Sequence, residues 1–141
     1  DVLDQYPNIK MVAQETANWS QTEAFEKMET IIQSNPNIKG VIAGNDTMAV
    51  GAQAALEAAG MTDVIIVGFD GSPDAAELIK KGKMAATVLE PMVNYTIMGV
   101  EAVDAYLRTG STGYDEEKIL VDCLLITPEN VEKLDNFRLS E

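Results

Sequence analysis

The chain has 141 residues, the size of one domain or of a large piece of a bigger one, and 46% of them are apolar, enough for a core. Its formal net charge of −13 argues against nucleic acid and anionic membrane surfaces as partners of this segment, because both repel it. With no histidine and a single cysteine, Cys123, an intrachain disulfide is excluded and a structural zinc site is not expected.

The chain opens at Asp1 in mid-pattern and without an initiator methionine, so a preceding portion is expected. No signal-peptide pattern is read within this segment, and no apolar run approaches the roughly 20 residues that a membrane-crossing helix needs. Residues 9–13 form a short apolar strand candidate. Ser20-Gln21-Thr22-Glu23 then reads as a capping box, followed by Ala24, Phe25, Met28, Ile31 and Ile32 at helical spacing. Asn35-Pro36-Asn37 ends that helix. A strand over Val41-Ile42-Ala43 leads to a helix with Asp46 as its expected N-cap and Gly60 just past its end. The next strand, Val64-Ile65-Ile66-Val67, precedes Ser72-Pro73, an N-cap with proline in the first turn, and a short helix that Gly82 stops. Residues 84–89 supply another strand. Pro91 opens a longer helix to about Arg108, closed by Gly110, and a last strand is expected over 119–126, with Cys123 as a small apolar strand residue. The tail holds a short helical turn over 128–134 and then becomes polar. Strands alternating with helices of crossover length predict an α/β fold with a largely parallel sheet and flanking helices.

Three of these strands end in a polar residue where the next segment begins: Asn45, Asp70 and Glu90. The carboxyl ends of parallel strands form one rim, where ligands bind in open α/β sheets. Asp70, before Gly71, is either a turn aspartate or an acceptor of two hydroxyl hydrogen bonds. Asn45 is either a turn residue or a paired donor and acceptor for a hydroxyl. Glu90 precedes a proline and is biased to extended geometry, either pointing into the rim or solvated at the surface. Trp19, in the polar context Asn18-Trp19-Ser20, is either a packing residue or an aromatic wall against the C–H face of a sugar ring. Nothing in this set supports an enzyme. Asp70-Gly71-Ser72 resembles a phosphatase nucleophile loop, but Gly68 stands where the first aspartate is needed, and glycine-rich nucleotide motifs are missing. No catalytic residue, no metal site and no cofactor is expected.

The stretch 38–52, with Ala43-Gly44-Asn45-Asp46-Thr47-Met48-Ala49, and the stretch 64–74, with Val67-Gly68-Phe69-Asp70-Gly71-Ser72-Pro73, resemble type I periplasmic sugar-binding proteins of the ribose-binding kind. With the spacing to Gly82-Lys83-Met84 the resemblance covers nearly the whole chain. It implies a noncovalent binder of a monosaccharide or polyol, the solute-binding component of a sugar ABC transporter, partnered by the transporter permease and closing two lobes around the solute. Asn45 and Asp70 match positions that bond sugar hydroxyls, Trp19 an aromatic that stacks on the ring, and Glu90 a position often held by glutamine. The resemblance also implies that most of a first lobe is absent. Residues 1–90 are then part of the C-terminal sugar-binding lobe, 91–126 a crossover helix and strand belonging largely to the first lobe, and 127–141 a tail. Strand edges normally covered would stand open, so self-association through them is expected, as is a periplasmic or membrane-anchored extracellular location. Sugar-responsive repressors of the lactose-repressor type share these motifs and make the alternative, an effector-binding domain. Ile126-Thr127-Pro128-Glu129-Asn130 resembles the transport family's C-terminus.

Overall fold

The computed structural model describes residues 2–140; Asp1 and Glu141, which open the expected lobe and close the expected tail, lie outside the described residues. Apolar runs too short for helices pair as parallel strands: β1 (Gly40–Ile42), β2 (Ile65–Asp70) and β3 (Ala86–Leu89). Val41 stands opposite Ile66 and Phe69 opposite Val88, so the three carboxyl ends lie side by side. The strand β4 (Leu124–Ile126) adds antiparallel to β3, giving the order β1-β2-β3-β4.

The helices begin and end where the capping chemistry places them. Helix α1 (Gln21–Ser34) starts at Ser20, whose hydroxyl accepts the Glu23 amide. Helix α3 (Pro73–Lys80) starts at Ser72, which accepts the Ala75 amide. Helix α4 (Met92–Thr109) stops at Gly110, in left-handed conformation at φ 78°. Helix α2 (Asp46–Ala58) lies between α1 and β2, and its small residues let it pack closely: Ala49, Ala52 and Ala55 are buried, and Gly51 sits against the Gln21 carbonyl of α1. The core runs from Met28 and Ile38 through Leu56 and Ile66 to Ile79, Leu89, Ile126 and Val131.

Three expectations fail, and a fourth, the helical turn over 128–134, holds over a shorter span. Residues 9–13 form no strand, and Ile9, Met11 and Val12 are exposed, because among the described residues no strand flanks the outer edge of β1 to receive them. The strand expected over 119–126 shrinks to Leu124–Ile126, since β3 ends at Leu89 and the chain turns away at Pro91. The expected helical turn over 128–134 is a 3-10 turn at Val131–Lys133. The polar end beyond it folds into a hairpin, β5 (Leu134–Asp135) with β6 (Arg138–Leu139), turned by Asn136 and Phe137 at positive φ. Asp46 is not the cap of α2; that residue is Asn45.

Coverage is uneven. Helix α4 buries none of its residues, with Val100 66% and Leu107 79% exposed. On the sheet, Ile42 and Ile65 are exposed by 77% and 60%.

Candidate functional site

Four short segments meet at the carboxyl ends of β1, β2 and β3. The first is the turn before α1. Asn18 and Trp19 both have positive φ, 48° and 61°, and the Ser20 amide donates to the Ala17 carbonyl at 2.8 Å, so the chain reverses tightly there. The capping box is half made. Glu23 does not return to Ser20; it accepts from Asn18 Nδ2 at 2.7 Å and so braces the turn that carries Trp19. The indole is 68% exposed, yet its Cζ3 lies 3.7 Å from the point where a Cβ on Gly44 would sit, beside Asn45.

The second segment links β1 to α2. Asn45 Oδ1 accepts the Met48 amide at 2.8 Å, which caps the helix and leaves the side-chain amide nitrogen as the group free to serve a ligand. The third segment follows β2. Asp70 has φ 125°, a conformation that costs a non-glycine residue energy and persists only where neighbours enforce it. Its carboxylate faces the Asp46 amide at the start of α2, where the helix dipole favours negative charge. Burial pushes the Asp70 carboxyl above the usual aspartate range; the charges of Asp46 and Glu90 push the same way, while the Asp46 amide pulls down. Glu90, the fourth segment, follows β3, is half-buried, and its amide donates to the Asp70 carbonyl at 3.4 Å.

Trp19, Asn45, Asp70 and Glu90 therefore share one end of the sheet. Sequence reasoning missed the residues beneath them, Asp46 and Thr87. Both are buried, at 1% and 0% exposure, and they bond to each other at 2.7 Å. A threonine inside the apolar run Ala85-Ala86-Thr87-Val88-Leu89 was the available signal. Elsewhere, an open hollow of about 500 Å³ between α4 and residues 112–121, lined by Tyr95, Met98, Ala102, Tyr114 and Ile119, belongs to the uncovered α4 surface and not to this rim. Among the described residues no group of three or more carboxylate, cysteine or histidine side chains is arranged to hold a metal ion.

What the rim offers is an aromatic plate, carboxylate acceptors and an amide donor, without histidine or cysteine at the strand tips. An open α/β unit with this rim has the form of a small-solute binding lobe. Residues 1–112 match the family described as periplasmic binding protein domain, and the chain belongs to that family. It is 57% identical over 142 residues to the D-apiose import binding protein of Actinobacillus succinogenes, covering 100% of this chain and 46% of that protein. It is 58% identical over 139 residues to the D-apiose import binding protein of Paraburkholderia graminis, covering 99% of this chain and 44% of that one. Among solved structures, an ABC transporter periplasmic solute binding protein of Actinobacillus succinogenes with bound D-allose superposes with a TM-score of 0.85 at 33% identity, over 92% of this chain and 45% of the other. The chain thus spans a little under half the length of the relatives it matches.

Proposed function

We propose that this chain is the C-terminal part of the solute-binding component of a sugar ABC importer, gripping a monosaccharide or polyol noncovalently at the rim. The observation that carries this is the meeting of Asn45, Asp70 and Glu90 at adjacent strand tips with Trp19 brought beside them by the turn before α1. Asp70 and Glu90 accept hydroxyl hydrogen bonds, the Asn45 amide nitrogen donates one, and the indole of Trp19 covers the C–H side of the ring. The permease of the importer is the macromolecular partner, and the working location is periplasmic, or extracellular and membrane-anchored. D-apiose heads the candidates because two relatives of high identity are named for its import.

The rim is open on one side, so a second lobe is needed to exclude water from these bonds, which are worth little while solvated. We infer that residues 91–126 belong largely to that other lobe, a reading supported by α4, which buries nothing here, and by the uncovered Leu120, Leu124 and Leu125. The same exposure supports self-association of the isolated chain through the edge of β1 and the bare apolar surfaces. Light scattering of the 141-residue chain should return a mass above the monomer; a monomer at all concentrations contradicts it. The function itself is tested by thermal shift of the two-lobed protein against pentoses, hexoses, polyols and inositols, since a bound ligand raises the melting temperature by mass action. A panel without a shift refutes the proposal.

A further inference from the structure

Asp46 is the most deeply buried carboxylate of this rim, and capping does not use it, because Asn45 already fills that role. Its Oδ2 accepts the Ser72 amide at 2.7 Å and its Oδ1 accepts the Thr87 hydroxyl at 2.7 Å. Thr87 in turn accepts the Gly71 amide at 3.2 Å. One buried anion therefore ties the start of α2 to the turn after β2 and, through Thr87, to the middle of β3.

These bonds hold the two residues that follow Asp70, whose φ of 125° requires enforcement from outside. Neighbouring glycines show how tightly the seat is fitted. A Cβ on Gly68 would overlap Asp46 Oδ1, and one on Gly71, at φ 77°, would lie 2.6 Å from Leu89 Cδ1. A buried charge is a poor source of stability compared with apolar packing of the same volume, but it fixes directions in space.

We propose that Asp46 is a positioning residue of the ligand rim: with Thr87 as relay, it holds the Asp70-Gly71-Ser72 turn in the strained shape that aims the Asp70 carboxylate at the solute. The proposal rests on the sugar-binding function above and adds a residue to it that does not touch the ligand.

The test uses the two-lobed protein, calorimetric titration with its best-binding sugar, and amide hydrogen exchange at Gly71 and Ser72. Asp46→Asn and Thr87→Val should each weaken binding by about tenfold or more, the scale expected when a buried charged hydrogen bond loses a partner. Thr87→Ser should stay within about threefold of the parent, because it keeps the hydroxyl. Exchange at Ser72 should quicken in Asp46→Asn, and at Gly71 in Thr87→Val. In an Asp70→Asn background Asp46→Asn should cost little further affinity, since its effect passes through Asp70. Parent-like affinity in the folded Asp46→Asn and Thr87→Val variants overturns the proposal, as does an equal loss with and without the Asp70 carboxylate. Should Asp46→Asn fail to fold, Thr87→Val decides alone. A parent that binds no sugar refutes the function instead, and exchange then decides the positioning claim: faster exchange at both amides supports it, unchanged protection overturns it.

Discussion

Replacing Gly68 by alanine pits two effects of opposite sign against each other, and the structure says which is larger. Gly68 is not at positive φ, so alanine fits its backbone, and the less flexible unfolded chain favours the variant by about 0.4–1 kcal/mol. Against this, the new methyl overlaps Asp46 Oδ1, with Met84 Cε at 3.1 Å and Ala49 Cβ at 3.3 Å closing the other sides. The carboxylate cannot swing away freely, because Ser72 and Thr87 each hold it at 2.7 Å. Displacing it forfeits a charged buried hydrogen bond, about 1.5–3 kcal/mol, and overpacking adds about 1–3 kcal/mol. The net is a destabilisation of roughly 2–5 kcal/mol after the unfolded-state gain is subtracted. Urea unfolding followed by far-UV circular dichroism reads it: with a slope of about 1–3 kcal/mol per molar, the midpoint should fall by roughly 1 M or more. Gly99→Ala, in α4 with open space around it, is the control and should stabilise by up to about 1 kcal/mol. A Gly68→Ala midpoint equal to or above that of the parent would show that Asp46 is not held in place, and would refute the reasoning.

Trp19→Ala should weaken sugar binding in the two-lobed protein by about tenfold, from the aromatic area lost, while unfolding is nearly unchanged because the indole is 68% exposed; a large loss of stability would mark Trp19 as a packing residue instead. The raised Asp70 carboxyl, set first by burial and then by the charges of Asp46 and Glu90, predicts a pH dependence. The folded state takes up this proton more readily than the unfolded chain, so ionised Asp70 costs stability at neutral pH, and the cost disappears as pH falls through its folded value. Hydroxyls of the ligand donate to the ionised form, so affinity should start to fall on acidification above the usual aspartate range; an Asp70→Asn protein should bind weakly with no such step, and a parent profile flat down to the ordinary aspartate range contradicts this. Gly51→Ala should destabilise by about 1–3 kcal/mol through overpacking, since its methyl overlaps the Gln21 carbonyl and meets Ala24 Cβ at 3.1 Å; unaltered urea unfolding would show that α1 can back away from α2.

Local chemistry made much of the fold legible. Apolar runs between capping residues and glycines placed β1, β2, β3 and the α-helices of the described residues, and the meeting of Asn45, Asp70 and Glu90 followed from parallel strand order, whereas Trp19 reaches them from the turn before α1. What depends on neighbours was not legible. Residues 9–13 are apolar enough for a strand but find no partner along β1, and residues 119–123 run past the end of β3. That Asn45, and not Asp46, caps α2 was also hidden, because either side chain suits an N-cap by type. Only the distance from Asp46 to Thr87 and Ser72, 41 and 26 positions along the chain, separates the two.

The central claim, that these strand tips grip a polyhydroxylated solute, is tested most directly by isothermal titration of the two-lobed protein with D-apiose and the wider sugar panel, beside the Asp70→Asn variant. Saturable micromolar or tighter binding of at least one sugar, lost by about tenfold or more in the variant, is the result this account predicts. Heats indistinguishable from dilution for every sugar, or equal affinity with and without the Asp70 carboxylate, would contradict it.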